Sequence, residues 1–255
     1  MEILGIDIGG SGIKGALVNA ETGEMLTERF RITTPDSKNP KDMAKVVAQI
    51  VDHFEYRGPV GCGFPTIVKN GVCMSEGNLD PSWVGVNIDE LFTEATGHEF
   101  TVLNDADAAG YASMNYGVGK GKQGLVVMIT IGTGLGSGAF FNGVLLPNFE
   151  LGQIPYKKYK KIEKWAAASA KERENLSFEK WGKRFNKFLK LVEIIVSPDL
   201  IIVGGGTSKD WDEFSHFIDI ETEVVKADLM NHAGIIGAAV ACLREQHHGH
   251  LSAKA

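Results

Sequence analysis

The chain opens with ILGIDIGGSGIKGALV, residues 3–18, in which two apolar segments flank a glycine-rich turn. Residues 3–8 and 13–18 predict two strands, and the glycines between them permit a tight turn. Thr22-Gly23 predicts a further turn into a third strand over residues 25–31. A strand–turn–strand opening of this kind indicates a fold that contains a β-sheet.

A second strand–turn–strand repeats this plan later in the chain. Residues 125–131 are continuously apolar, residues 132–136 form a glycine-rich turn, and residues 137–141 continue as a strand. This weak internal duplication suits two similar α/β lobes that face a cleft.

The other elements follow from apolar spacing and capping residues. Helices are predicted over residues 40–51, 88–96, 105–116 and 178–195, with Asn104 and Ser177 as caps of the last two. Strands are predicted over residues 60–64, 101–103 and 200–203. We expect a small lobe over 1–117, a larger lobe over 118–233, a closing helix over 234–246 that packs back on the first lobe, and a disordered tail over 247–255.

The opening turn has the composition of a phosphate site. Glycine lets the backbone approach an anion, a carboxylate at a strand end can hold Mg²⁺ or its waters, and lysine can neutralise phosphate. Taken alone, this turn is explained better as a glycine-rich hairpin without a ligand. The candidate donor-binding residues here are Asp7, Gly9, Gly10, Ser11, Gly12 and Lys14.

Two further glycine-rich segments strengthen the phosphate interpretation. Each follows an apolar strand, as the first turn does, and two such turns could hold one phosphate donor from both lobes. The additional candidates are Thr130, Gly132, Thr133, Gly134, Gly204 and Gly205.

A carboxylate lies at the junction between a predicted strand and a predicted helix. Phosphoryl transfer to an alcohol benefits from a carboxylate that orients the hydroxyl and accepts its proton. Asp105 is our candidate for this base, beside Asn104. The alternative is that Asp105 and Asp107 are acids that favour the first turn of the helix.

Polar residues in two loops are candidates for binding sugar hydroxyls. Asn78 lies in one loop, and Glu150 and Gln153 lie in the other. Carboxylate and amide groups can hydrogen-bond vicinal hydroxyls, although loop composition alone predicts only turns.

Charge is distributed unevenly along the chain. Residues 157–190 contain twelve Lys or Arg and four Asp or Glu, a local balance of +8 in a chain of net charge −6. This segment could hold a polyanion, or it could be a helix with a solvated lysine face. We expect Lys180, Lys183, Arg184, Lys187 and Lys190 to project outward.

The cysteines and the hydropathy indicate a cytoplasmic protein. Three cysteines that are widely spaced and odd in number disfavour a disulfide framework and a zinc site. No run approaches the roughly 20 apolar residues of a membrane span, and no signal-type region precedes the first strand. We expect neither a membrane partner nor a nucleic-acid partner.

Together these residues resemble the repressor, open-reading-frame and kinase (ROK) family of sugar kinases. The resemblance runs from Ile3 to about Leu243, and its most specific matches are residues 7–15, 104–110 and 197–206. Within the family, the chain looks like the polyphosphate glucokinase branch. The resemblance implies an α/β, actin-like (ribonuclease H-like) duplicated fold with two lobes around a cleft, and a homodimer.

The resemblance also implies roles for individual residues. Asp105 would be the base, and Asp7 with the turns 9–12 and 132–136 would handle phosphate and Mg²⁺. The residues that would bind glucose are Asn78, Asn104, Asp105, Glu150 and Gln153.

Two departures from the family pattern matter. Most members carry a cysteine-rich zinc motif after the loop that contains the glutamate, and this chain has none, so no structural zinc is expected. The family usually has histidine where this chain has Gln153, which can hydrogen-bond but cannot titrate near neutrality.

The expected reaction is transfer of a terminal phosphoryl group from inorganic polyphosphate to the 6-hydroxyl of glucose. ATP as donor, alone or beside polyphosphate, is the first alternative, and an inactive sugar-binding sensor is the second. A sugar-responsive repressor is disfavoured because the residues before Ile3 cannot form a helix-turn-helix.

Overall fold

The computed structural model describes residues 1–229 and 232–252, with side chains as far as residue 246. The chain forms two compact units, Met1–Ala112 with His232–Ala255, and Ser113–Asn231. The lobe limits expected from the sequence, 1–117 and 118–233, stay a prediction. Within the described ranges, no helix has both the length and the apolar character to cross a membrane.

The chain contains both strands and helices, which follow each other in short groups. The strands are β1 (Glu2–Ile8), β2 (Ile13–Asn19), β3 (Glu24–Met25), β4 (Phe30–Ile32), β5 (Val60–Phe64), β6 (Val68–Lys69), β7 (Val72–Cys73), β8 (Phe100–Asn104), β9 (Leu125–Ile131), β10 (Leu135–Phe141), β11 (Val144–Leu146), β12 (Leu200–Gly204) and β13 (Glu223–Lys226). The helices are α1 (Pro40–His53), α2 (Ile88–Thr96), α3 (Asp105–Tyr116), α4 (Glu163–Ala166), α5 (Ala168–Arg173), α6 (Phe178–Val196), α7 (Trp211–Phe214) and α8 (Ala233–Ser252).

The sheets of the two units share one topology. In the first unit the order is β3-β2-β1-β5-β8, with β4 also paired to β2, and in the second it is β11-β10-β9-β12-β13. In each sheet an antiparallel pair is followed by parallel strands: β1 pairs antiparallel to β2 and parallel to β5, and β9 pairs antiparallel to β10 and parallel to β12. This repetition confirms the duplicated α/β fold.

Side-chain alternation divides the first sheet into an apolar face and a small-residue face. Leu4, Ile6 and Ile8 of β1 are fully buried in a cluster that includes apolar residues of α1 and α2. The alternate positions face α8, and there Gly5 and Gly61 have no side chain. A Cβ at either glycine would come within 3.0 Å of backbone atoms of α8, so the helix packs directly on the strands.

Helix α6 covers the second sheet with an aromatic stripe. Trp181, Phe185 and Phe188 are fully buried, and the Trp181 indole donates to the carbonyls of Ala166 and Ala167 at 2.9 and 3.1 Å. Ser177 caps the helix as predicted, through a bond to the Lys180 amide. The buried stripe ends at Val192, and Ile195 near the end of the helix is 53% exposed.

The largest differences between predicted and observed boundaries occur at β3 and β4, at β10 and at α8. The single strand expected over 25–31 is two short strands, β3 and β4, because each pairs with a different end of β2. Strand β10 begins at Leu135 instead of residue 137, since Leu135 already pairs with Ile131. Helix α8 continues to Ser252, beyond the expected end at residue 246, so residues 247–252 of the expected tail are helical and residues 253–255 lie outside the described residues.

Asp89 is a half-buried carboxylate in the first turn of α2. Its Oδ1 accepts a hydrogen bond from the Val102 amide at 3.1 Å, which ties the helix to β8. Burial raises the pKa of Asp89 from 3.8 to about 6. The folded protein therefore holds a proton on Asp89 at a pH where the unfolded chain has released it.

We expect Asp89→Asn to raise the free energy of unfolding at pH 7 by about 1–2 kcal/mol. The contribution of Asp89 is present below pH 4 and is lost as the pH rises through about 6, because the raised pKa favours the protonated form. Asparagine keeps the acceptor oxygen without the charge. Urea unfolding at pH 4 and pH 7 measures the difference, with the exposed neighbour Glu90→Gln as control. Equal gains at both pH values would contradict the prediction.

Candidate active site

The first glycine-rich turn is a short hairpin between β1 and β2. The Gly9 amide donates to the Gly12 carbonyl at 3.0 Å, and Gly10 and Ser11 form an exposed tip. Two residues that the sequence analysis missed support it. Arg31 Nη2 donates to the Ser11 carbonyl at 2.7 Å, and the Thr34 hydroxyl donates to the Gly9 carbonyl at 2.6 Å. Their polar groups fix a turn that exposes its backbone.

Asp7 and Lys14 form a cross-strand pair below this turn. Strand register places them opposite each other, and Lys14 Nζ lies 3.3 Å from Asp7 Oδ2. Both side chains are mostly buried, with 24% and 19% exposure for lysine and aspartate. Gly234 in the first turn of α8 is so close that a Cβ there would lie 2.9 Å from Asp7 Cγ. The start of a helix favours negative charge, so the surroundings of Asp7 suit an anionic group.

Asn104 builds the junction that carries Asp105. Its Oδ1 accepts from the amides of Ala106 and Asp107 at 2.8 and 3.2 Å, which is the predicted cap of α3. Its Nδ2 donates to the Thr66 carbonyl at 3.0 Å. Asp105 follows as the first residue of α3 and is half-buried. Asn104 therefore fixes the position of the candidate base.

The loop of Asn78 lies against the same part of the first unit. Gly77 has φ +58°, and a Cβ there would lie 2.8 Å from the Pro65 carbonyl oxygen. Asn78 is exposed, and the loop is anchored by buried Trp83, whose indole donates to the Lys38 carbonyl at 2.8 Å. Residues 65–66 thus contact both the loop of Asn78 and the side chain of Asn104.

The second unit brings its two glycine-rich segments together. Gly132 donates to the Gly134 carbonyl at 3.0 Å, and this turn is supported from outside by the Ser169 hydroxyl, 2.6 Å from the Thr133 carbonyl. Gly204 pairs with Thr130 in the sheet. Gly205 has φ +81°, and a Cβ there would lie 2.5 Å from the Ile131 amide. Only glycine fits such a close approach.

The segment with Glu150 and Gln153 lies along β10. The Leu151 amide donates to the Ser137 hydroxyl at 2.8 Å, and that hydroxyl donates to the Phe149 carbonyl. The backbone N–H of Gln153 donates to the backbone carbonyl of Glu150 at 3.2 Å. Two effects raise the pKa of Glu150: burial is the larger, and the nearby Glu163 carboxylate is the smaller.

Glu163 is a site residue that the sequence analysis missed. Its Oε2 accepts from the Leu135 amide at 3.4 Å and would lie 2.5 Å from a Cβ at Gly134. Because it also acts electrostatically on Glu150, it links the second glycine-rich turn to the candidate sugar segment. One signal was available, since Glu163 is the single acid within residues 157–164.

The carboxylates of the first unit fit a magnesium ion that arrives with phosphate. Mg²⁺ is usually held by one or two carboxylates together with phosphate oxygens and waters. Asp7 offers one carboxylate at the end of β1, beside the hairpin. Within the described residues, no three His, Cys, Asp or Glu side chains are grouped as a metal site.

The sequence and the fold together identify the family of this chain. The sequence matches the ROK family over residues 3–147, and the chain belongs to this family. Its fold is the actin-like fold of ROK sugar kinases: a glucokinase from Streptomyces griseus, solved with glucose and AMPPNP, superimposes with a TM-score of 0.83 at 22% identity, covering 96% of this chain and 100% of that one.

Two other relatives are more similar to this chain in sequence. The polyphosphate glucokinase of Mycobacterium tuberculosis (strain CDC 1551 / Oshkosh) is 43% identical over 245 residues, which cover 96% of this chain and 92% of that protein. The inorganic polyphosphate/ATP-glucomannokinase of Arthrobacter sp. strain KM has a TM-score of 0.92 at 42% identity, covering 96% of this chain and 99% of that one.

Proposed function

We propose that this chain is a glucokinase that transfers the terminal phosphoryl group of inorganic polyphosphate to the 6-hydroxyl of glucose. The observation that carries the proposal is the 43% identity with a polyphosphate glucokinase along nearly the whole chain. The aspartate at the β8–α3 junction supports it, because an alcohol acceptor needs a base at a fixed position.

Asp105 is the proposed base. Its carboxylate accepts a hydrogen bond from the 6-hydroxyl and takes the proton as the oxygen attacks the terminal phosphorus. The bond between that phosphorus and its bridging oxygen breaks, and the shortened polyphosphate leaves with the electron pair. Asn104 keeps Asp105 in position through its cap of α3 and its bond to Thr66.

The donor phosphates are assigned to the glycine-rich turns, Asp7 and Lys14. When bound, Mg²⁺ would neutralise charge on the phosphate oxygens. Asp7 would hold the ion or its waters, and Lys14, now 3.3 Å from Asp7, would lie beside the same phosphates. The exposed tip at Gly10 and Ser11 offers backbone amides to an anion.

The sugar is assigned to Asn78, Glu150 and Gln153 together with Asp105. Glu150 is partly buried, so a hydrogen bond from a sugar hydroxyl to its carboxylate would be shielded from water. Such a pocket would discriminate among hexoses by the hydroxyls that it pairs.

Gln153 provides a direct test of this sugar assignment. We expect Gln153→Ala to weaken glucose binding by roughly 1–3 kcal/mol, because a buried partner would lose its hydrogen bond. Gln153→His should change the Michaelis constant for glucose or the preference among hexoses. Steady-state kinetics with glucose and mannose measure both effects. Unchanged constants in both variants would place Gln153 outside the sugar pocket.

ATP is the second candidate donor. The Arthrobacter relative is described as a polyphosphate/ATP-glucomannokinase, which favours a shared site for both donors. Formation of glucose 6-phosphate with each donor, measured on the same preparation, separates the alternatives. Transfer from ATP alone would overturn the polyphosphate assignment, and glucose binding without transfer from either donor would indicate an inactive sensor.

We also propose a cytoplasmic homodimer. Cys62, Cys73 and Cys242 are free and buried, which suits a reducing compartment. Phe141, Val144 and Leu146 of β10 and β11 are 42–64% exposed, which supports a contact with a second copy. A monomeric mass in light scattering at assay concentrations would refute the dimer.

A further inference from the structure

The basic segment 157–190 consists of two parts with different surroundings. Residues 157–164, which we call the lysine loop, lead into α4 and include its first two residues; they contain five lysines and one glutamate. The remaining basic residues lie on α5 and α6. An anionic chain is attracted most strongly by positive side chains that do not already pair with an acid. We therefore compare the ion pairs of the two parts.

Acids pair with part of the charge on α5 and α6, although among the described residues Lys180 and Lys187 form no ion pair within 4.0 Å. Lys183 pairs with Glu179, and Lys190 lies 3.1 Å from Asp219. Arg184 pairs with Glu174 at 2.6 Å and donates to the Trp165 carbonyl. The prediction that Arg184 projects outward is therefore wrong, whereas the four lysines Lys180, Lys183, Lys187 and Lys190 are exposed as predicted.

The lysine loop has no such compensation. Among the described residues, none of its five lysines forms an ion pair within 4.0 Å. Lys157 Nζ instead lies 5.3 Å from the ring centroids of both Tyr156 and Trp165, and Lys158 Nζ lies 5.7 Å from that of Tyr159. The acid of the loop, Glu163, faces the Leu135 amide. The loop therefore presents positive charge that is available to an anion.

Backbone bonds hold this charge in a defined position. Tyr156 and Tyr159 exchange two backbone hydrogen bonds, of 3.0 and 2.9 Å, across a turn in which Lys157 has φ +51°. The Ile162 amide donates to the Ile154 carbonyl at 2.7 Å and closes the base of the loop. At that base, Lys161 is half-buried and acts electrostatically on Glu150.

We propose that the lysine loop, rather than the lysine row of α6, is the surface on which long-chain inorganic polyphosphate docks. This inference rests on the proposed function. A polyphosphate chain carries a negative charge at each phosphate, so several of its units can contact successive lysines, and Glu163 of the loop lies against the glycine-rich turn 132–136 to which the donor phosphates are assigned. The loop meets this need because its lysines form no ion pair within 4.0 Å among the described residues, and because backbone hydrogen bonds hold the loop in place beside the segment of Glu150.

Two matched variants test the proposal. The first is Lys157→Gln/Lys158→Gln/Lys160→Gln/Lys164→Gln in the lysine loop. The second is Lys180→Gln/Lys183→Gln/Lys187→Gln/Lys190→Gln on α6. Both remove the same number of positive charges from exposed positions, and Lys161 is retained because it adjoins Glu150.

We expect the loop variant to raise the Michaelis constant for long-chain polyphosphate about tenfold and to flatten its dependence on salt. The constants for glucose, for tripolyphosphate and for any ATP-dependent reaction should change little, since a short donor has too few phosphates to contact several lysines at once. The α6 variant should retain wild-type constants within about twofold.

Other outcomes overturn the inference. Equal weakening in both variants would show that only total charge matters, and an effect confined to α6 would reverse the assignment. A wild-type protein that transfers nothing from polyphosphate would refute the proposed function instead. In that case, direct binding of long-chain polyphosphate to the two variants still decides whether the loop is an anion-binding surface.

Discussion

Replacing Asp105 with asparagine is expected to lower the turnover number by on the order of 10²–10⁴. Asparagine keeps the size of the side chain but cannot accept the proton of the attacking hydroxyl. The cap of α3 does not depend on this side chain, because Asn104 provides it. Glucose affinity and the unfolding temperature should therefore stay close to those of the wild type.

The exposed Asp52 of α1 provides the matched control. Asp52→Asn removes the same charge far from the β8–α3 junction in sequence and should leave turnover unchanged. Steady-state rates with saturating glucose measure both variants, and calorimetry measures the glucose affinity. A folded Asp105→Asn protein with near wild-type turnover would remove Asp105 from the role of base.

The second large effect concerns stability. Gly61→Ala is expected to lower the free energy of unfolding by about 3 kcal/mol. The new methyl group would come within 3.0 Å of the Ala238 backbone, which cannot move without shifting α8. For a chain of this size, such a loss lowers the unfolding temperature by about 6–12 °C.

Gly206→Ala is the control for the glycine substitution. A methyl group at Gly206 would have no neighbouring atom within 4 Å, and the residue has no positive φ, so alanine should fit. Thermal unfolding of both variants, followed by circular dichroism, measures the difference. Equal unfolding temperatures would mean that α8 can move away from the sheet at little cost.

The sequence predicts the long elements well because their signals are local. Strand β5 and helices α2 and α3 begin and end as expected, since apolar spacing and capping residues mark their limits. Strands β3 and β13 are short, and each exists only through pairing with β2 or β12. Pairing between distant segments leaves little trace in composition, so β13 is missed and β3 is not distinguished from β4.

The same contrast between local signals and long-range contacts applies to the candidate site. Asp105 stands out because it lies at a strand–helix junction with a capping neighbour. Arg31 and Thr34 do not stand out, and Glu163 stands out only as the single acid of its segment, because what these residues do depends on contacts with segments far away in sequence. The prediction that Arg184 projects outward was wrong for a related reason. It rested on the apolar spacing of α6 alone, whereas the partner of Arg184, Glu174, lies in the preceding loop.

The position of α8 has a consequence for how the protein is made. This helix follows the second unit in sequence, yet it covers the glycine face of β1, which is synthesised before that unit. Contacts between segments so distant in sequence slow folding, because closing the long intervening loop costs entropy. While the second unit is being synthesised, the face of the first sheet that α8 covers stays exposed. Binding of a chaperone at this stage would protect the exposed strands from aggregation.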